Sequence, residues 1–153
     1  MLRLPYSGEP MKILSIDYGV STGLALCSLE GSDLIKLYLG TINSAALFKS
    51  SYPVPEDCEC IVLEQAPFGA AWSTSVIFHT LFADLQKSGF VLSDTLQEKG
   101  IVLVAPSQWK PFVKRQNLDL RSWSPKTKHE RDAMCMLWYA VSMQNKKEKY
   151  VFK

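Results

Sequence analysis

Three carboxylates and one imidazole stand out in the 153-residue sequence because of the residues around them. Asp17 closes the apolar run MKILSID (11–17), Glu64 lies near the end of CIVLEQ (60–65), and His129 and Asp132 occupy the first turn of HERDAMCMLWYAVSMQ (129–144). Short branched-apolar runs of this kind read as buried strands, and the last segment reads as a helix. Acids ending two neighbouring strands come within a few ångströms of each other, which is repulsive unless a proton or a cation lies between them. Residues three apart on a helix share a face, so His129 and Asp132 can address one point. Hard Mg²⁺ or Mn²⁺ takes oxygen ligands and keeps open water positions, and two such ions can clamp the attacking and leaving oxygens of a phosphodiester. The pattern points to metal-dependent phosphoryl chemistry.

The elements that must position these groups follow from the periodicity. After 11–17, GLALCSL (23–29) and DLIKLYLG (33–40) complete a three-stranded antiparallel meander. NSAALFKSS reads as a short helix capped by Asn43, and YPVPEDCE as a loop. AAWSTSVIFHTLFADLQKSG (70–89) sets Trp72, Val76, Ile77, Leu81 and Leu85 at helical spacings, with Gly89 as its cap and with Trp72 and His79 read as packing residues. IVLVAP (101–106) is a further strand, SQWKPFVKRQ (107–116) a helix with Ser107 as N-cap, and QNLDLRSWSPKTK (116–128) a mobile loop. Glu130, beside the proposed ligands, is expected at the surface. The fold class is therefore α/β: a mixed sheet, made of the meander plus parallel strands, flanked by helices. Residues 1–10 read as a flexible leader, 11–145 as a single domain and 146–153 as a charged tail.

With 47% hydrophobic and 21% charged residues, the composition is that of a globular domain and excludes a disordered chain. The formal net charge is only +2, but it is unevenly spread. Between positions 110 and 132 seven basic residues (Lys110, Lys114, Arg115, Arg121, Lys126, Lys128, Arg131) face three acids, so this segment is +4 and the remainder −2. A phosphate backbone would be drawn to that flank, and Trp109, Phe112 and Trp123 interleave with its charges. Cys27, Cys58, Cys60 and Cys135 lack paired metal-site spacing and read as reduced, structural thiols. No apolar run approaches the roughly 20 residues of a membrane-spanning helix, and the first residues lack a secretory signal. A cytoplasmic protein is expected (host cytoplasm if the source is viral), with no membrane partner and no small-molecule cofactor.

Four segments together carry a family resemblance. ILSIDYGVSTGLAL resembles the opening strand-turn-strand of RuvC-like Holliday-junction resolvases, in the ribonuclease H-like superfamily. IVLEQAPFG resembles that family's strand ending in Glu-Gln, APSQWK its P-S-x-x-K segment, and HERDA its closing H/D-x-x-D-A motif; the four occur in the family's order over roughly residues 12–140. The resemblance implies that Asp17, Glu64, His129 and Asp132 form the catalytic and metal site, holding two Mg²⁺ or Mn²⁺ ions, with Asp17 contacting both. His129 stands where some relatives have Asp, which leaves open whether it binds metal or moves a proton. Phe68 resembles an aromatic that relatives stack on or wedge between bases.

Three other readings compete with this resemblance. A YqgF-like or other ribonuclease H-like nuclease acting on structured RNA shares the opening Asp and the closing Asp-Ala. The DYGVSTG stretch also resembles the phosphate loop of actin-like and sugar-kinase folds, which need two such lobes. A noncatalytic nucleic-acid-binding protein of the same fold would have little reason to keep a full acidic set, since neighbouring buried carboxylates without a cation are destabilising. The favoured reading is a divalent-metal-dependent endonuclease of branched DNA, foremost four-way junctions. Phe68 and the seven basic residues bind the nucleic acid in this reading. Two symmetric nicks imply a homodimer, with the apolar surface of helix 70–89 as its interface.

Overall fold

In the computed structural model residues 10–43, 54–66, 69, 72–144 and 149–153 are described. Three strands, β1 (Met11–Asp17), β2 (Ser21–Glu30) and β3 (Asp33–Asn43), form the antiparallel meander. Against the free side of β1 lie β4 (Cys60–Glu64) and then β6 (Gly100–Val104), both parallel to it. Two-residue strands, β5 (Val91–Leu92) and β7 (Val151–Phe152), finish the edges, giving the order β5-β6-β4-β1-β2-β3-β7. Strand residues alternate between the two faces. Met11 and Ile13 of β1 enter a core shared with α2 (Pro106–Arg115) and α3 (Lys128–Gln144), and Leu14 and Ile16 enter one shared with α1 (Trp72–Lys87). Burial on both faces is why β1 and β4 read as nearly continuous apolar runs.

Helix α1 buries Ile77, Leu81 and Leu85, a single stripe at four-residue spacing. It ends in a Schellman motif: Gly89 has φ +93°, its N–H donates to the Gln86 carbonyl, and the Phe90 N–H donates to that of Leu85. Trp72 does not join the core as expected. It lies five residues before Ile77, about 140° around the helix, and is 81% exposed. His79 is likewise exposed and only edges against the Phe78 ring.

Helix α2 is capped by Ala105 in an extended conformation, with Pro106 in the first turn, so Ser107 is not its N-cap. The segment expected as a mobile loop is pinned. Arg121–Trp123 forms one 3₁₀ turn, and Trp123 is wholly buried against Phe152 at 5.0 Å between ring centroids. Its indole N–H donates to the Lys153 carbonyl at 2.8 Å, and Ser122 Oγ donates to that of Phe152 at 2.8 Å. One buried tryptophan outweighs the polar composition around it, because it brings more apolar area than any other residue. It also draws the chain end into the sheet: the stretch read as a charged tail contains β7, which pairs with β3 and buries Tyr150 and Phe152. Strand β3 runs through Asn43, and the rest of the short helix expected there lies outside the described residues. Among the described residues no helix is long and apolar enough to cross a membrane.

Candidate functional site

Register places the first two acids side by side. Ile16 of β1 pairs with Leu63 of β4, so the next step brings Asp17 beside Glu64. Asp17 pairs with Gly23 on β2, and Gly23 with Thr41 on β3. One transverse row therefore runs Glu64, Asp17, Gly23, Thr41 across four strands. By alternation it belongs to the face that α3 covers, the face of Ile13, Ala25 and Val62.

The first turn of α3 lies directly on this row. A Cβ on Gly23 would overlap the carbonyl of His129 and crowd the Glu130 nitrogen, so only glycine lets the helix come this close. From that position the His129 Nδ1 reaches Asp17 Oδ2 at 3.2 Å, and Asp132, half-buried, stands close enough to act electrostatically on both Asp17 and Glu64. The Glu64 carboxylate is held from the other side, where the buried indole of Trp109 donates to Oε2 at 2.8 Å. The Ala105 to Pro106 link is what drops Trp109 onto Glu64, since β6, paired with β4, leads straight into α2. Trp109 thus belongs to the acidic site and not to an exposed basic flank. Glu130, expected at the surface, is 6% exposed; it turns towards β3 and accepts hydrogen bonds from Thr41 Oγ1 and the Lys126 N–H.

Electrostatics mark the cluster as short of positive charge. Burial, opposed by the His129 hydrogen bond and reinforced by Asp132 and Glu64, pushes the Asp17 carboxyl up to about 6. Burial also raises Glu64, although Trp109 and Lys110 pull it back down. The Tyr18 hydroxyl is buried without a hydrogen-bond partner, and its pKa is driven up by burial and by the fields of Glu64 and Asp17. Among the described residues no three His, Cys, Asp or Glu side chains close into a finished metal-binding group. The donor set, three carboxylates and an imidazole, nevertheless fits an oxygen-preferring divalent cation, which would offset the burial and the smaller mutual repulsion that raise these carboxyls.

The seven basic candidates, Lys110, Lys114, Arg115, Arg121, Lys126, Lys128 and Arg131, are all exposed. Lys110 sits over the Trp109 ring at 5.6 Å and lowers the Glu64 pKa, so it borders the acids. Arg121 and Arg131 line an open cleft of about 850 Å³, where Arg121 is already paired with Asp119 at 2.9 Å. Phe112 is half-buried and packs on Trp138 and Tyr139, and Trp123 is buried, so neither is a surface aromatic among the charges. Phe68 lies outside the described residues. The four thiols are free; burial pushes those of Cys58 and Cys135 up to about 11 and Cys60 to about 12.

Gly23, Trp109 and Glu130 lie inside the segments that carry the family resemblance, which assigns them no part in the site. Two signals of them are present in the sequence: a glycine inside an otherwise apolar strand marks a close approach, and Thr127-x-x-Glu130 ahead of an apolar helix is a capping-box pattern.

No protein-family model matches the sequence, and no curated protein matches it. Solved structures do. The chain superposes on the Thermus thermophilus RuvC structure with a TM-score of 0.58 at 14% identity, covering 86% of this chain and 92% of that one. It superposes on T. thermophilus RuvC in complex with a Holliday junction substrate with a TM-score of 0.57 at 13% identity and the same coverage. Likeness at this identity establishes the fold, which is ribonuclease H-like.

Proposed function

We propose that the protein is a divalent-cation-dependent endonuclease that cuts branched DNA, four-way junctions foremost. The observation that carries this reading is the convergence of Asp17, Glu64 and Asp132 at the C-terminal ends of two adjacent central strands of a RuvC-like sheet, with His129 in contact with Asp17. Bound Mg²⁺ or Mn²⁺, one ion or two, would supply Lewis-acid activation of water and charge neutralisation at the phosphate. Asp17, Glu64 and Asp132 would hold it, and His129 would complete the set as a ligand or pass a proton through the imidazole nitrogen that faces away from Asp17. Trp109 orients Glu64 by holding Oε2, which leaves the other carboxylate oxygen available.

The exposed bases Lys110, Lys114, Arg115, Arg121, Lys126, Lys128 and Arg131, together with Phe68, contact the nucleic acid in this reading. Lys110 borders the acids from α2, Lys128 and Arg131 lie in the first turn of α3, and Lys126 lies just before it. Because a symmetric junction needs two nicks, a homodimer is part of the proposal, and the exposed Trp72 end of α1 is its candidate interface. The test is to incubate purified protein and Mn²⁺ with labelled four-way, three-way, duplex and RNA–DNA hybrid substrates. Preferential cutting of the four-way junction is expected. Equal turnover of all four would point to a general ribonuclease H-like nuclease, and no cutting of any would sink the enzymatic reading.

A further inference from the structure

The chain places two consecutive residues of α3 on opposite sides of one glycine. The peptide joining His129 to Glu130 rests on Gly23, and Gly23 has Asp17 as its register partner on one side and Thr41 on the other. His129 reaches to Asp17 at 3.2 Å, and Glu130 reaches the opposite way, accepting from Thr41 Oγ1 at 2.8 Å. The second Glu130 oxygen accepts from the Lys126 N–H at 3.1 Å, the Glu130 N–H donates to Thr127 Oγ1 at 3.1 Å, and the Thr41 and Thr127 hydroxyls meet at 2.8 Å. This glutamate is therefore a hydrogen-bonded bracket outside the set of acids proposed to face a cation, and it ties the helix start to β3, which an N-cap alone would not do.

We infer that Glu130, with Thr41 and Thr127, is a positioning device that fixes how far the start of α3 reaches across the sheet, and so sets His129 and Asp132 against Asp17. The same carboxylate holds the backbone of Lys126, and the basic segment leading to it is anchored by Trp123. The surface proposed to hold the phosphate backbone and the side chains proposed to cut it are thus locked in one register. This rests on the nuclease reading. Without the bracket, substrate would still bind to the exposed bases, but the cutting groups would sit out of place, and a misplacement of about 1 Å lowers rates on the order of 10²-fold.

Thr41 is exposed, so Thr41→Val removes the hydroxyl and keeps the shape and the fold. Thr41→Ser restores the hydroxyl. In the full chain, Thr41→Val and Glu130→Gln are expected to lower kcat on four-way junctions by about 10- to 100-fold with KM within twofold of wild type, and Thr41→Ser to cut at the wild-type rate. The chain has two histidines, so imidazole NMR carries its own control. In metal-free protein the His129 ring signals are expected to move in Thr41→Val and Glu130→Gln while those of exposed His79 stay fixed. Unmoved His129 signals, or kcat unchanged in both variants, would overturn the inference. If wild type cuts no junction, the nuclease reading fails, and the His129 signals alone still decide whether the bracket positions the helix.

Discussion

The two faces of the sheet are built by different rules. On the α1 face, Ile77, Leu81 and Leu85 meet Leu14, Ile16 and Leu63 in an apolar layer whose helix ends in an ordinary glycine cap. On the α3 face the helix start presses onto Gly23, and the groups beyond it are polar: Asp17, Glu64, Thr41, His129, Glu130 and the Trp109 indole. The first face needs volume and apolarity, which many sequences supply. The second needs particular atoms at particular distances, and it bears buried carboxylates that make the cation-free fold less stable than an uncharged site would. The α1 face serves stability alone, whereas the α3 face carries an apolar core of its own and, over Gly23, the groups set aside for chemistry.

Substitutions should separate the two. The largest effect is expected from Asp17→Asn, which removes the carboxylate at the centre of the row. Junction cleavage should fall by about 10³-fold or more, the size of several kcal/mol of lost charge stabilisation, while binding in a gel-shift assay persists. Next come two changes that contrast the faces. Gly23→Ala drives a methyl into the His129 carbonyl and should lose most cleavage. Leu81→Ala on the α1 face should lower unfolding free energy by about 2–5 kcal/mol, yet leave kcat of the folded fraction unchanged. Denaturant titration beside initial rates distinguishes them, and equal loss of activity per unit of stability in both would erase the contrast.

A pH series sharpens the same comparison. Asp17 in the fold titrates near 6 against an ordinary 3.8, so the native state holds this proton more tightly than the unfolded chain does. The stability that follows is complete below about pH 4 and is lost as pH rises through about 6, on the order of 1–3 kcal/mol. Cation-free wild type should therefore become less stable over that window, and Asp17→Asn, which cannot ionise, should lack this component and exceed wild type at pH 7. The reverse order at pH 7 would mean that the carboxylate is already compensated. The smallest effect is expected at the surface: replacing Lys126 and Lys128 with Ala should reduce the slope of log affinity against log salt by about 1 for each phosphate that is no longer neutralised, with kcat at saturation unchanged.

Much of the core on both faces was legible in the sequence, because β1, β4 and β6 advertise themselves by branched apolar runs and α3 by strong helix formers. Asp17, Glu64, His129 and Asp132 were legible as well, as acids and an imidazole at element ends, and the fold gathers them where the central strands β1 and β4 end. What periodicity could not reveal depends on partners distant in the chain. Trp72 and Trp123 are the same residue type in mixed surroundings, yet the first is 81% exposed and the second wholly buried, because only Trp123 has Phe152 and the Lys153 carbonyl to receive it. Glu130 looked like a surface residue because Thr41, 89 positions earlier, is what turns it inward. Strands β5 and β7, two residues each, are too short to carry any period.

The central claim is that Asp17, Glu64, Asp132 and His129 hold a divalent cation, and Mn²⁺ titrated into the protein tests it most directly. Its paramagnetism should broaden the imidazole signals of His129 at substoichiometric Mn²⁺ while leaving those of His79 sharp, and the effect should vanish in Asp17→Asn. Equal broadening of both histidines, or selective broadening of His129 that survives in Asp17→Asn, would contradict the account.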